Sequence, residues 1–330
     1  MPRKQLRRAL VTFAAAAAIV AAVAPIGGAA GPKTCTKDCT TMFVPPYAAA
    51  PFGVTKGPHG SEWFSLDHAV ARIDQKGNIT TYPVSDPNEQ DVGWMTRGPR
   101  GTVWFAERDT GKVGSIRPDG TMREYALPSP DAVPQGIVFA PDHDVYISEQ
   151  GSNAIARLDP DTGAVTDIPV PTPDSNAQSG VLGPDGAIWF VERNADQIGR
   201  MTLDGHFTEY PLAAGSFPNR IIVGPDHALW FTELLSSAVG RITTQGKLTE
   251  YPVDGGPVGI TLGNDKQLYV ALFFSAGVAR IDMDGNVTGD WSLPNAGGPL
   301  QIATGHGNDI WVTDTFGGNL YKLTPYAGGH

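Results

Sequence analysis

One large aromatic residue returns at near-constant spacing along this 330-residue chain. Trp63, Trp104, Tyr146, Trp189, Trp230, Tyr269 and Trp311 stand 41, 42, 43, 41, 39 and 42 residues apart. Around each the same phrase recurs, most fully as GPDGAIWFVERNADQIGRMTLDGHFTEYPL from Gly183 to Leu212. It reads as a turn, an aromatic-rich strand, a loop, an IGR strand, a second Gly turn and a TEYPL strand. A unit of this length cannot bury both faces of its own sheet, so successive units must stack on one another. Length alone suggests two domains, but a repeat of this period argues for one.

Each unit divides into four antiparallel strands. The first is short and rich in Gly, Val and Ile (Gly53-Val54-Thr55, Gly136-Ile137-Val138, Gly259-Ile260-Thr261), which suits a crowded axis. Alternating apolar and polar residues supply two buried faces per sheet. Gly and Asp in the turns supply positive φ and side-chain-to-backbone hydrogen bonds. The expected architecture is all-β: a seven-bladed β-propeller of four-stranded antiparallel blades over 42–330. Met42-Phe43-Val44-Pro45-Pro46 resembles the outer TEYPLP strand but precedes the first complete unit. The last unit stops at Tyr321–Pro325 without such a strand. The N-terminal strand is therefore expected to complete the last blade and close the ring, which removes open sheet edges.

Residues 1–30 read as a secretory signal peptide. Arg3, Lys4, Arg7 and Arg8 form a basic start, Ala9–Ala24 an apolar run, and Gly28-Ala29-Ala30 a small-residue cleavage site. The apolar run is short for a membrane span, which needs about 20 residues. The mature chain is thus expected outside the cell, as a monomer. Loss of those four cations takes the formal charge from −10 to −14, because the segment holds no Asp or Glu. Such acidity argues against nucleic acid and anionic lipid as partners. Residues 31–41 read as a linker whose Cys35 and Cys39 are expected to pair outside the cell.

The strings GPDGAIWFVERNADQIGRM, GPDHALWFTELLSSAVGRI and LTEYPV closely resemble the repeats of streptogramin B lyases (the virginiamycin B lyase family), over roughly residues 42 to 325. The resemblance implies a propeller that linearises a cyclic depsipeptide by elimination. It also implies a base for the α-proton and a magnesium ion for the developing charge. In that family a His follows the Pro entering the first strand of each of the last two blades. A Glu stands two residues before the final His, and another lies just past the WFTE strand. Those positions here are Val258, Leu300, Gly298 and Thr315. Equivalent positions in the other blades are Phe52, Gly93, Gln135, Gln178 and Asn219, none of them a base near neutral pH.

Strand direction divides the loops between two faces. The top face receives the loops after the WF strands and the connections into each first strand; the other turns lie at the bottom. His59, His143, His227 and His306 fall in bottom turns, where His tolerates left-handed backbone. His68, beside Asp67, is left for the top and makes this pair the candidate acid–base group. Glutamates end four WF strands (Glu107, Glu149, Glu192, Glu233), with Asp314 in the seventh; they are expected to bond their own loops. Glu107 and Asp314 are the candidate metal ligands, with magnesium as the ion the resemblance implies. Third-strand arginines (Arg72, Arg157, Arg200, Arg241, Arg280) are expected to pair with an outer-strand Glu such as Glu124, Glu209 or Glu250. Top positions of blades five, six, seven and one are apolar: Phe217, Val258, Phe273, Phe274, Leu300, Phe316 and Phe52, with Leu66. Those of blades two to four are polar, including Gln135, Gln178 and Arg193. An apolar arc facing a polar one points to a peptide-like or hydrophobic small-molecule ligand. Two functions follow: ligand binding without the usual base, or a C–O lyase acting on a streptogramin-type depsipeptide or related lactone.

Overall fold

The computed structural model describes residues 39–46, 50–129 and 131–325. The signal segment and Cys35, with its expected pairing to Cys39, lie outside the described residues. The described chain forms seven four-stranded antiparallel sheets; in six of them the strands follow one another in sequence, and in the seventh the N-terminal strand lies beside the last strand of the chain. After β1 (Cys39–Phe43), blade one comprises β2 (Val54–Lys56), β3 (Glu62–Leu66), β4 (Ala69–Ile73) and β5 (Ile79–Pro83). The pattern repeats to blade seven, which ends in β26 (Pro299–Thr304), β27 (Ile310–Asp314) and β28 (Asn319–Thr324). No helix among the described residues is long and apolar enough to cross a membrane.

Second strands are buried along their whole length, and outer strands are the most exposed. This burial gradient makes the apolar alternation effective: both faces of each second strand pack against neighbouring blades. The core accordingly divides into seven clusters, one between each pair of adjacent blades, including blades seven and one. Buried hydroxyls rivet the same interfaces. Ser65 Oγ donates to the Gly93 carbonyl at 2.8 Å, Thr232 Oγ1 to Val258 at 2.8 Å and Thr313 Oγ1 to Phe52 at 2.7 Å.

The recurring aromatic is at most 5% exposed in every blade. Its ring usually stacks on an outer-strand aromatic, as in Trp189–Tyr210 at 5.4 Å and Trp230–Tyr251 at 5.5 Å. In blade seven that partner is Phe43, stacked on Trp311 at 5.5 Å. β1 pairs with β28 from Cys39–Thr324 to Phe43–Leu320, so the ring closes as expected, with the pairing reaching back to Cys39. Beneath this junction, at the bottom, lies a cavity of about 330 Å³ lined by Phe43, Glu62, Asp74, His306 and Trp311 among others.

The third-strand arginines do not take the outer-strand Glu partner expected for them. Arg200 Nε donates to Asp185 in the bottom turn at 2.7 Å, and Arg241 Nε to Asp226 at 2.6 Å. The same carboxylates receive Trp189 Nε1 and Trp230 Nε1, each at 3.0 Å. Register explains the difference. Arg200 lies opposite Thr208, whereas Glu209 lies opposite Gly199 and so points to the other face. The outer-strand carboxylates serve the preceding blade instead: Glu124 accepts the Ser85 amide at 2.9 Å and Glu209 the Thr172 amide at 3.2 Å.

Candidate ligand site on the top face

Six of the seven first strands carry a register shift where they enter from the top. A bulge adds a residue and re-aims side chains at a barrel or propeller rim. In blade two the shift lies between Val92 and Met95, and in blade five between Pro218 and Ile221. Aligned on these entries, the second residue is Gly53, Trp94, Gly136, Ser179, Arg220, Gly259 and Gln301 from blade one to seven. Trp94 and Arg220 are the bulky exceptions. The Arg220 guanidinium sits 4.5 Å from the Trp94 ring centre. Blades two and five are not neighbours, so the contact is made across the axis. Trp94 Nε1 also donates to Gln135 Oε1 at 2.5 Å, and Gln135 donates to Gln150 at 2.7 Å. Sequence reading missed Trp94 and Arg220. The signal was a bulky residue in a column held elsewhere by Gly, Ser or Gln.

Four of the expected ligand-facing residues gather on blades six and seven. Phe273 meets Phe274 edge-to-face at 5.4 Å and Phe316 at 5.5 Å, and Leu300 packs half-buried against the core beside Phe273. Phe274 is 56% and Phe316 48% exposed, and Leu235, in the top loop of blade five, is 53% exposed. Val258 is not with them: at 1% exposure it belongs to the core between blades six and seven. Leu66 is likewise buried. Phe52 and Phe217 stand apart from the arc, each under a cation. Phe52 lies edge-on to Trp94 at 6.1 Å, with Arg108 5.3 Å from its ring centre. Phe217, at φ 54°, carries Arg193 at 4.9 Å.

Asp67 and His68 sit together at the top of blade one. Burial raises the Asp67 carboxyl above its usual range, opposed by a hydrogen bond from the Ala50 amide. His68 is exposed, and its Nδ1 lies 2.6 Å from the Glu89 carbonyl. A carbonyl only accepts, so Nδ1 carries a proton, and in the neutral tautomer the lone pair is left on Nε2. The Glu89 carboxylate below ties the neighbouring loop together, receiving the amides of Asp91 at 2.8 Å and Thr110 at 3.1 Å.

The strand-end carboxylates bond their own loops, largely through side chains. Glu192 accepts Gln197 Nε2 at 2.9 Å, Glu233 accepts Ser236 Oγ at 3.0 Å, and Glu149 accepts Ser152 Oγ. These three and Glu107 are at most 1% exposed, and one oxygen of each has no hydrogen-bond partner among the described residues. Burial pushes Glu107 up to about 8 and Glu149 and Glu192 to about 7. Asp314 differs, because it accepts the amides of Gly297, Gly298 and Gly317 at 2.9–3.1 Å. Glu107 and Asp314 therefore serve separate blades, with blade one between them. Among the described residues no three His, Cys, Asp or Glu side chains gather as a metal ligand set.

The positions that would carry the family's base and magnesium ligands do not fit that role. Val258 is core, and Thr315 Oγ1 donates to the Pro51 carbonyl at 2.7 Å. A Cβ at Gly298 would come 2.8 Å from Phe273 and 3.1 Å from Phe316, so the phenyl cluster fills the space a Glu would need. At the bottom, His59, His143 and His227 hold φ of 56°, 73° and 58°, consistent with turn roles. His306 does not: Gly307 takes the positive φ, and His306 Nδ1 meets Glu62 Oε1 at 2.8 Å.

Comparison with known proteins agrees with this architecture. A family described as the Virginiamycin B lyase family matches residues 24–213 and 152–327. A structure described as streptogramin B lyase is 28% identical, with a TM-score of 0.81, covering 87% of this chain and 97% of that one. A catalytically inactive His-to-Ala virginiamycin B lyase from Staphylococcus aureus, solved with quinupristin, is 29% identical with a TM-score of 0.82. That alignment covers 88% of this chain and 100% of the other. Virginiamycin B lyase of Nocardia farcinica (strain IFM 10152) is 33% identical over 94 residues, 28% of this chain. The aligned stretch spans about a third (33%) of that relative's length.

Proposed function

The chain belongs to the virginiamycin B lyase family, and on that premise we propose that it is a secreted binding propeller for a peptide-like or hydrophobic ligand on its top face, working without the catalytic base of its relatives. The observation that carries this reading is the apolar surface of three consecutive top loops. Leu235, Phe274 and Phe316 make up half of the six large hydrophobic side chains exposed among the described residues. An apolar patch concentrated on one rim, in a fold whose recurring second-strand aromatics are all buried, marks a contact surface. Val258, Leu300, Gly298 and Thr315 supply neither a proton acceptor near neutral pH nor a magnesium ligand set. The test uses quinupristin, present in the related structure. Calorimetry is expected to detect binding, and Phe274→Ala to weaken it by about tenfold, the effect of losing about 1.4 kcal/mol of apolar contact. Unchanged affinity in Phe274→Ala would reject the placement.

A second reading is favoured by the tautomer of His68. With Nδ1 donating to the Glu89 carbonyl, Nε2 of the neutral tautomer is an oriented acceptor, as a C–O lyase base requires. Ring-opening of quinupristin, followed by mass spectrometry with and without magnesium and abolished in His68→Ala, would establish that reading. The expected outcome is an unchanged cyclic mass.

A further inference from the structure

Three arginine side chains converge on the mouth of the axis, and two of them have no ion-pair partner among the described residues. Arg108 and Arg193 follow the second strands of blades two and four, and Arg220 stands in the bulge of blade five. Each guanidinium lies against an aromatic ring: Arg108 on Phe52 at 5.3 Å, Arg193 on Phe217 at 4.9 Å, Arg220 on Trp94 at 4.5 Å. Phe52 and Trp94 touch, so the Arg108 and Arg220 contacts are joined. Arg193 feels the charge of Arg108. Arg108 has a partner, because Asp91 accepts its Nη1 at 2.8 Å. Among the described residues neither Arg193 nor Arg220 has an ion pair or a side-chain hydrogen bond, and the Nε of each is closed off from water. Burial holds Arg193 down at about 9, helped by Arg108, and Arg220 at about 10. Acidic groups of this face occur on several blades, and Asp196, in the same loop as Arg193, is taken up by backbone, accepting the Gly215 amide at 2.7 Å and the Phe217 amide at 2.8 Å.

Both side chains are half-buried, and a guanidinium partly withdrawn from water without a counter-charge costs stability. The chain carries a formal net charge of −10, so carboxylates were not scarce as partners. Stacking on an aromatic face leaves the planar edge of a guanidinium free to present two parallel donors, the geometry suited to carboxylate or phosphate oxygens. We propose that the mouth of the axis is a binding site for an anionic oxygen group, carboxylate or phosphate, received by Arg193 and Arg220, on a ligand whose apolar part reaches the Phe273–Phe274–Phe316 arc. This rests on the top face being the ligand face and adds the charge of the ligand to it. Trp94 gives the anion site its floor, and Gln135 fixes the indole.

The test compares three probes sharing one phenyl ring: phenylacetate, phenyl phosphate and neutral phenylacetamide, each titrated into the mature chain and followed by ligand-observed NMR. At least one anion is expected to bind tenfold or more tightly than the amide. Arg193→Gln with Arg220→Gln is expected to reduce that anion to the level of the amide. The preferred probe identifies the source as carboxylate or phosphate. Both charges are unpaired in the free protein, so the double variant is expected to melt no lower than wild type. Arg193→Lys with Arg220→Lys, which keeps the charge but loses the fork, is expected to retain part of the preference. Equal binding of anions and amide, no binding of either anion, or a preference that survives the double Gln variant would overturn the site. The apolar reading fails separately, if Phe274→Ala leaves all three affinities unchanged.

Discussion

Glu107 illustrates how much one residue's setting departs from its type. As a strand-end carboxylate above a polar loop, it suggests a cation ligand. In the fold it is fully buried, one oxygen is unpartnered, and burial with the nearby Glu124 and Glu89 lifts it to about 8. The group is therefore mainly protonated at neutral pH and costs free energy when it ionises. Its folded value lies above its unfolded one, so its stabilising contribution is complete below about pH 4.5 and lost as pH rises toward 8. Each tenfold change in a proton-binding constant corresponds to about 1.4 kcal/mol. Glu107→Gln is thus expected to raise stability at pH 8 by at least about 1 kcal/mol and to leave it nearly unchanged at pH 5, as read by urea denaturation at the two pH values. Arg220 shows the converse. Its neighbours in sequence, Asn219 and Ile221, say nothing of Trp94, which lies 126 residues away in sequence and across the axis.

Among the elements, β1 bears most on integrity. Phe43 occupies the place of the outer-strand aromatic in blade seven and stacks on Trp311, while β1 covers the edge of β28. Phe43→Ala is expected to lower stability by about 2 kcal/mol, less than a fully buried Phe because Phe43 is only half-buried; thermal denaturation measures it. Removal of residues 1–43 is expected to do more, exposing β28 as an unpaired edge and producing association detectable by size-exclusion chromatography. This element was legible because the last repeat lacks a strand and the N-terminus holds a spare one. The bulges at the first strands were not legible. A bulge is a mismatch between two strands, and nothing in Pro218-Asn219-Arg220 alone specifies it.

Across the whole molecule, buried carboxyls set the pH dependence. Glu62 and Glu107 are held at about 8 and Glu149 and Glu192 at about 7, and Glu233 is also raised, all chiefly by burial. Turn aspartates such as Asp74, Asp159 and Asp282 are lowered by hydrogen bonds from their own turns. The first group loses its contribution as pH rises from about 4.5 to 8, and the second as pH falls below about 4. Stability is therefore expected to peak near pH 5 and to decline toward pH 8, a profile that denaturant midpoints across pH 3–9 would measure. A midpoint that climbs between pH 5 and 8 would contradict the buried-carboxyl account.

The sequence by itself determined the blade count, the strand order within each blade, the closing strand and the family. These follow from local patterning repeated at a fixed period, and each repeat carries the information for its own sheet. Only the tertiary structure decided which side chains share the top face. Val258 turns into the core, Arg200 and Arg241 turn to the bottom-turn aspartates, and Arg220 crosses to Trp94. Those outcomes depend on register, on bulges and on which blades oppose one another around a ring, and none of these is local to any stretch of chain.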